Sequence, residues 1–260
     1  MGHNVDEAHE TRLTADLPEN SSVKLIGLGG VGGIVARYGG IFLASVGRAV
    51  RLVLIDGDAF EPGNASRMWF ARHGNKAAVV RDELVGGLQG SDLTVIAVEE
   101  YVDSGNLSRL VRSGDVVLLA VDNHATRKLV SDHVSTLDEI VLISGGNDGA
   151  GPDSSGRVLR GTYGNCQIYV RRGGADVSPS LSRYHAEIRE PGDHSPTELD
   201  CTELAASVPQ IIFANLMAAA SMLNALWLHC CGALHYGELA FDIFDGRMAP
   251  VLLPGPKPGA

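Results

Sequence analysis

Cysteine, aromatic residues and positive charge are all scarce in this chain of 260 residues. Its four cysteines include no C-x-x-C pair, which argues against a secreted disulfide framework. Lys and Arg number 21 against 31 Asp and Glu, a formal net charge of −10. Phosphate backbones and anionic lipids favour cationic surfaces. We therefore expect neither nucleic acid nor a membrane among its partners.

The chain also lacks a recognisable signal peptide and an uninterrupted membrane-length apolar run. Its N-terminus is polar and acidic, and the longest apolar stretch, residues 211–231, contains Asn215, Asn224 and His229. That stretch is more typical of a buried helix than of a membrane span. We expect a soluble, reduced, cytoplasmic protein with a flexible N-terminal arm at 1–20 and a single domain at 21–260.

Apolar strands alternate with helical patterns through the first half of the chain. The predicted strands are 23–26, 50–55, 93–98, 116–121 and 140–144, and the predicted helices are 34–46, 76–88, 107–112 and 124–134. This alternation, with continuous rather than alternating apolar strands, predicts a Rossmann-like α/β fold whose mostly parallel sheet carries helices on both faces.

The pattern changes after Ser144. A connection rich in Gly, Ser and Asp precedes an extended segment at 167–171, and the aperiodic stretch of about 173–200 predicts a long crossover loop. Ser207 could cap a long helix that ends near Gly232. Two final strands, near 239–244 and 251–253, predict a short antiparallel extension at the C-terminal end.

A glycine-rich turn lies between the first predicted strand and helix. It contains Gly27, Gly29, Gly30 and Gly32, so that backbone amides at the helix N-terminus could face a ligand phosphate. The same pattern fits nicotinamide, flavin and ATP sites, and a tight turn without any ligand.

Charged residues after the second strand narrow this choice. Asp56, 24 residues after Gly32, is placed to accept hydrogen bonds from a ribose. The polar run that follows contains Asp58, Glu61, Asn64, Arg67 and Lys76. A guanidinium and an ammonium close together suit the triphosphate of ATP, although each taken alone could belong to a solvated loop. An NAD-dependent oxidoreductase, supported only by the turn and Asp56, is the less favoured alternative.

Asp122 follows the fourth strand. A lone carboxylate at that point could hold Mg²⁺ against phosphates, and it could also cap the next helix.

Together, these residues resemble the adenylation domain of the ubiquitin-activating (E1) superfamily, which includes the bacterial ThiF and MoeB proteins. The resemblance is close over about 20–145. It implies ATP and Mg²⁺ as cofactors, with the turn and Asp58 at the nucleotide and Asp56 at the ribose. It assigns Asn64, Arg67 and Lys76 to the phosphates and the transition state, and Asp122 to Mg²⁺.

The chain departs from the family pattern at three points. Met68 stands where the family often has Gln, and the stretch from Arg67 to Lys76 is shorter than in MoeB-like proteins. The paired C-x-x-C motifs that hold structural zinc in many members are absent, so we predict no zinc.

Cys201 ends the predicted crossover loop just before a predicted helix. Helix dipoles favour a thiolate there, whereas the neighbouring Asp200 would raise its pKa and leave it an inert loop residue. The position resembles the nucleophile of thioester-forming E1 members. It implies adenylation of the C-terminal glycine of a ubiquitin-like protein, thioester formation on Cys201 and transfer to an E2-like partner. The alternative is a ThiF- or MoeB-type sulfur-carrier adenylyltransferase with no essential cysteine.

Members of this superfamily work as dimers, so the resemblance implies a homodimer. Some also take an arginine from the partner's N-terminal region, for which Arg12 is the candidate here. Bacterial antiviral-defence operons and plasmid-borne ThiF proteins are equally compatible settings.

Overall fold

The computed structural model describes residues 13–66, 68–152, 156–198 and 210–253 of the chain. Its strands are β1 (Ser22–Ile26), β2 (Val50–Ile55), β3 (Ala59–Phe60), β4 (Gly74–Asn75), β5 (Leu93–Val98), β6 (Val116–Leu119), β7 (Ile140–Asn147), β8 (Ala150–Pro152), β9 (Val158–Arg160), β10 (Tyr163–Arg172), β11 (Ala175–Asp176), β12 (Tyr236–Asp242) and β13 (Arg247–Leu252). Its α-helices are α1 (Gly32–Ser45), α2 (Lys76–Gly87), α3 (Leu107–Leu110), α4 (His124–Val134), α5 (Ala186–Arg189) and α6 (Ile212–Cys230). Short 3₁₀ helices lie at Pro62–Ser66 and Leu181–Arg183.

One large sheet organises the described residues, in the order β13-β12-β10-β7-β6-β1-β2-β5, with β11 paired to β10. The five strands from β7 to β5 are parallel, and β10, β12 and β13 add antiparallel pairs. This confirms the predicted Rossmann-like class and its antiparallel extension. Because β1 pairs with both β2 and β6, the strand order reverses at β1, and a crevice opens there at the carboxyl ends of the strands.

Helices cover the two faces of the sheet unequally. One core packs α1, α2 and α6 against residues such as Leu25 and Leu52. The other packs α3, α4 and the segment 181–188 against residues such as Ile26 and Ile55. Consecutive residues of a central strand therefore pack into the cores on opposite faces of the sheet, because successive side chains of a strand point to opposite faces. The edge strand β5 departs from this pattern, because Thr94 and Ile96 are exposed and its other four residues are half-buried.

The apolar helix α6 packs against β7, β10 and α1. By length and composition alone it could cross a membrane, but half of it is buried inside the protein. It begins at Ile212 after extended backbone at Ile211, so the predicted start at Ser207 is wrong for this helix. Ser207 itself lies outside the described residues.

Strand β7 is longer than predicted. Gly145, Gly146 and Asn147, assigned to a connection, extend it and pair with β10. A Cβ at Gly145 would lie 2.4 Å from Met222 Cγ of α6, so the glycine lets helix and strand approach closely. The high glycine content that suggested a loop instead reflects tight packing.

Two segments predicted to be loose pack onto the domain where they are described. Leu17, in the predicted arm, is buried, and the Asn20 amide donates to Ala49 O. In the predicted crossover loop, Leu181 and Ile188 are buried in the second core. Isolated apolar residues anchor both segments, and single anchors produce no periodic pattern in the sequence.

Candidate functional site

The glycine-rich turn lies where β1, β6 and α1 meet. Gly27 follows β1 with a φ of +86°, and a Cβ there would lie 2.9 Å from Ala120 O beyond β6. A Cβ at Gly32 would lie 1.9 Å from Gly27 O. Only glycine fits at these two positions, and the tight approach places the first turn of α1 at the crevice between the strands.

The N-terminus of α1 is open to a ligand within the described chain. Its N-cap residue, Val31, makes no side-chain capping bond, and its first turn contains no acidic residue. A Cβ at Gly29 would meet nothing closer than Met68 Cε at 4.0 Å. The first amides of a helix, which have no intrahelical partner, and the positive end of the helix dipole together favour an anion at this position.

Asp56, which follows β2, is held beside the turn. Its Oδ2 accepts from the Leu28 amide at 2.6 Å and its Oδ1 from the Asp58 amide at 2.8 Å. Burial raises the pKa of Asp56 to about 6, against the opposing attraction of Lys76. Each carboxylate oxygen keeps a second lone pair, so the group can still accept a hydrogen bond from a ribose.

Lys76 begins α2 and pairs with Asp58. Lys76 Nζ lies 2.8 Å from Asp58 Oδ2, and the Tyr101 hydroxyl donates to Asp58 Oδ1. Although burial acts to raise the pKa of Asp58, the charge of Lys76 and these hydrogen bonds lower it below its usual range. The two side chains differ in burial, because that of Lys76 is 9% exposed and that of Asp58 is 41% exposed. Asp58 thus orients the lysine beside the turn.

Asn75 links the two carboxylate positions. Its side-chain oxygen caps α2 by accepting from the Ala78 amide at 3.1 Å, and its Nδ2 donates to the Asp56 carbonyl at 2.8 Å. Sequence reasoning missed Asn75, although an Asn directly before a helix is a recognisable capping signal.

Asn64 lies in the 3₁₀ helix before Arg67, and its side-chain oxygen accepts from the Glu61 amide at 3.0 Å. This bond stabilises the turn in which Asn64 lies. Arg67 lies outside the described residues. Met68, the next residue, places its methyl group 4.0 Å from a Cβ built at Gly29, so the chain directly after Arg67 lies beside the turn.

A bracket of Arg37 from α1 and Glu83 from α2 holds the residues after Arg67. Arg37 bonds to Glu83 Oε2 at 2.6 and 3.0 Å, to Gly33 O and Trp69 O at 2.9 Å each, and stacks on the Trp69 ring. Glu83 Oε1 accepts from the Ala71 amide at 3.0 Å. Sequence reasoning missed this bracket, because its partners are 46 positions apart and no local pattern connects them.

Asp122 is exposed beyond β6, on the other side of the turn from Asp56. Asn123, not Asp122, caps α4 by accepting from the Thr126 amide, so the capping role considered for Asp122 is wrong. The Asp122 carboxylate forms no hydrogen bond within the described residues. Asp193 reaches the same helix end and accepts from the His124 and Ala125 amides.

The buried side chain of Arg127 stabilises this end of the sheet. Sequence reasoning missed this residue too. It is buried and donates to Ser144 Oγ, Val121 O and Gly145 O at 2.7 to 3.0 Å. A Cβ at Gly146 would overlap its guanidinium, at 2.4 Å from one nitrogen. Arg127 thereby ties the ends of β6 and β7 together.

The crevice therefore gathers the turn, Asp56, Asp58 and Lys76 on one side and Asp122 on the other. No group of three or more His, Cys, Asp or Glu side chains in the described ranges could hold a metal ion. Cys201 and Arg12 lie outside those ranges, so their predicted roles are not tested by the geometry.

Comparison with known proteins gives a consistent result. A family model described as the ThiF family matches residues 11–249. The chain is 35% identical over 129 residues to the SAMP-activating enzyme E1 of Haloferax volcanii, covering 48% of this chain and 45% of that protein. It is 32% identical over 155 residues to the adenylyltransferase and sulfurtransferase MOCS3 of Drosophila ananassae, covering 58% of this chain and 32% of that protein. The chain thus spans less than half the length of these curated relatives.

Solved structures share the fold at low sequence identity. A complex of E. coli MccB with MccA-N7isoASN superimposes with a TM-score of 0.65 at 17% identity, covering 90% of this chain and 64% of that one. PaaA gives a TM-score of 0.60 at 20% identity with the same coverage. The family model, which matches nearly the whole sequence, shows that the chain belongs to the ThiF family.

Proposed function

We propose that this chain is an ATP-dependent adenylyltransferase that activates the C-terminal carboxylate of a small carrier protein. The observation that carries the proposal is the open N-terminus of α1, flanked by Asp56 on one side and Asp122 on the other. The names of the similar proteins, an activating enzyme and an adenylyltransferase, support the same reaction class.

The described residues suit the separate parts of ATP. The amides of the glycine-rich turn face the phosphates, and Asp56 accepts a hydrogen bond from a ribose hydroxyl. In this proposal Lys76 and Arg67 neutralise phosphate charge. In the reaction a carboxylate oxygen of the carrier attacks the α-phosphorus, the bond from that phosphorus to the bridging oxygen breaks, and pyrophosphate leaves with the electron pair. Catalysis of this adenylation step rests on positioning and electrostatics rather than on a protein nucleophile.

Mg²⁺ fits this site through Asp122. The carboxylate is exposed, forms no hydrogen bond within the described residues and lies at the carboxyl edge of the sheet. Mg²⁺ is commonly held by one or two carboxylates together with substrate phosphates, and it supplies charge neutralisation there.

Thermal shift measurements test the nucleotide class directly. ATP with Mg²⁺ should raise the melting temperature, whereas NADH should leave it unchanged, since a ligand stabilises the state it binds. Lys76→Met should abolish most of the shift by ATP. Lys128→Met is the matched control, because Lys128 forms an exposed ion pair with Asp132 on α4. Stabilisation by NADH and not by ATP would overturn the proposal.

The proposal extends to the carrier and to Cys201. We infer that the carrier is a ubiquitin-like protein and that Cys201 takes the acyl group as a thioester, releasing AMP, before transfer to an E2-like partner. With a purified carrier, Cys201→Ala should keep ATP–pyrophosphate exchange and lose the thiol-sensitive carrier adduct. Full function of Cys201→Ala would instead favour a sulfur-carrier adenylyltransferase without an essential cysteine.

A homodimer is part of the same proposal. Along α6 the exposed residues Phe213, Leu216, Ala220 and Trp227, with the half-buried Leu223, recur at spacings of three and four, and Phe213 is 68% exposed. Such a stripe is typical of a helix that packs against another apolar surface. Phe213→Asp should shift the mass measured by light scattering from dimer to monomer. An unchanged mass, or a monomeric parent protein, would contradict the proposal.

A further inference from the structure

The side chain of Asn215 lies buried beneath the glycine-rich turn and has no hydrogen-bond partner among the residues that the structure describes. The residue has no exposed surface, and neither its Oδ1 nor its Nδ2 bonds to any described group. Its backbone amide is satisfied by Ile211 O at 3.1 Å. The anomaly is therefore confined to the carboxamide.

The carboxamide faces the turn itself. A Cβ built at Gly30 would lie 2.3 Å from Asn215 Nδ2, so this side chain touches the glycine backbone. Asn215 belongs to the first turn of α6, which packs against α1. The group with unused hydrogen-bonding capacity is thus in direct contact with the segment proposed to hold phosphates.

Burying a carboxamide without partners costs stability that an apolar side chain of similar size would not cost. Asparagine offers two N–H donors and a carbonyl acceptor, and peptide groups of a turn can use both. The open amides at the N-terminus of α1 are the groups that an anion would order.

We propose that Asn215 is a positioning residue for the phosphate-binding turn, whose carboxamide gains hydrogen bonds to the turn's peptide groups when the turn closes on the phosphates of ATP. This inference rests on the proposed function, because it requires ATP as the ligand. It adds a contact from α6, outside the strand–turn–helix unit that carries the glycines. Asn215 does not touch the nucleotide; it fixes the peptides that do.

The test compares Asn215→Leu with Asn224→Leu. Asn224 lies on the same helix, donates to the Tyr236 hydroxyl at 2.9 Å and does not line the turn. For each variant, the melting temperature without ligand and the dissociation constants for ATP with Mg²⁺ and for adenosine are measured. Adenosine lacks phosphates, so its binding reports the rest of the pocket.

Asn215→Leu should keep or raise the melting temperature of the free protein and weaken ATP binding about tenfold, which corresponds to ~1.4 kcal/mol. Adenosine binding should be unchanged. Asn224→Leu should lower the melting temperature slightly and leave ATP binding unchanged. A merely structural Asn215 would affect ATP and adenosine equally. Asn215→Ala, which adds no bulk, provides the same comparison if the leucine is not accommodated.

The outcomes separate the inference from the proposed function. If the unmodified protein binds ATP and both Asn215 variants bind it equally well, the inference is wrong and the proposed function stands. Equal losses for ATP and adenosine, or a lowered melting temperature with both variants, would also overturn the inference. If the unmodified protein does not bind ATP, both fail together.

Discussion

Replacing Arg37 with methionine should destabilise the protein by about 2–3 kcal/mol. The guanidinium bonds to Glu83, Gly33 O and Trp69 O, and the side chains of Arg37 and Glu83 are only 23% and 14% exposed. A hydrogen bond to a charged group contributes about 1.5–3 kcal/mol, and partial exposure with retained methylene packing reduces the total. In a protein of this size each kcal/mol shifts the melting temperature by roughly 2–4 °C. We expect a decrease of roughly 5–10 °C.

Arg72→Met is the matched control. Arg72 pairs with Asp82, the neighbour of Glu83 on α2, but both side chains are about half exposed. Its loss should cost no more than about 0.5 kcal/mol. A double-mutant cycle of Arg37→Met with Glu83→Gln should give a coupling of about 1–2 kcal/mol, measured by urea unfolding. ATP-dependent activity should fall too, because the bracket holds the residues after Arg67. Equal losses for Arg37→Met and Arg72→Met would refute the reasoning.

Three further perturbations follow from the site. Gly32→Ala should abolish folding measured by circular dichroism, because its Cβ would overlap Gly27 O, and normal folding of this variant would contradict the reasoning. Gly29→Ala should fold normally and bind ATP at least tenfold more weakly, because its Cβ points into the open crevice. Arg127→Met should cost about 3 kcal/mol in urea unfolding, because it leaves buried carbonyls unpaired; a change below about 1 kcal/mol would show that the guanidinium does not bind the strand ends as described. Burial holds the pKa of Asp56 near 6 in the folded protein, above the 3.8 of an ordinary carboxyl. The stability that protonated Asp56 contributes is therefore present at pH 4 and lost as pH rises through 6. Relative to Asp56→Asn, the parent protein should therefore lose on the order of 3 kcal/mol in the free energy of unfolding between pH 4 and 7, and parallel pH profiles would contradict this.

The parallel half of the fold could be predicted from the sequence because its strands are continuous apolar runs. Strand β2 at 50–55, β5 at 93–98 and helix α4 at 124–134 have the bounds that the pattern predicts. The turn and Asp56 were also predictable, since strand ends and helix starts constrain them locally.

The rest of the site depends on contacts between distant residues. Arg37 and Glu83, or Gly30 and Asn215, belong to separate elements whose approach only the packed sheet establishes. In the sequence, glycines such as Gly145 and Gly146 indicate a flexible loop. In the structure they leave space for the side chains of Met222 and Arg127. Burial that small residues permit leaves no periodic signal.

The reversal of strand order at β1 has a consequence for how the protein reaches its native state. Val23 pairs with Leu52 on one side and with Val116 on the other, more than ninety positions later. The β1, β2 and β5 half can form through successive local crossovers, whereas β6 must close a long loop to dock on the free edge of β1. The crevice has one wall from each half, so we expect competence to bind nucleotide to develop only after this docking. ATP added during refolding should then leave the rate of β6 docking onto β1 unchanged. It should stabilise the chain only after that pairing is complete.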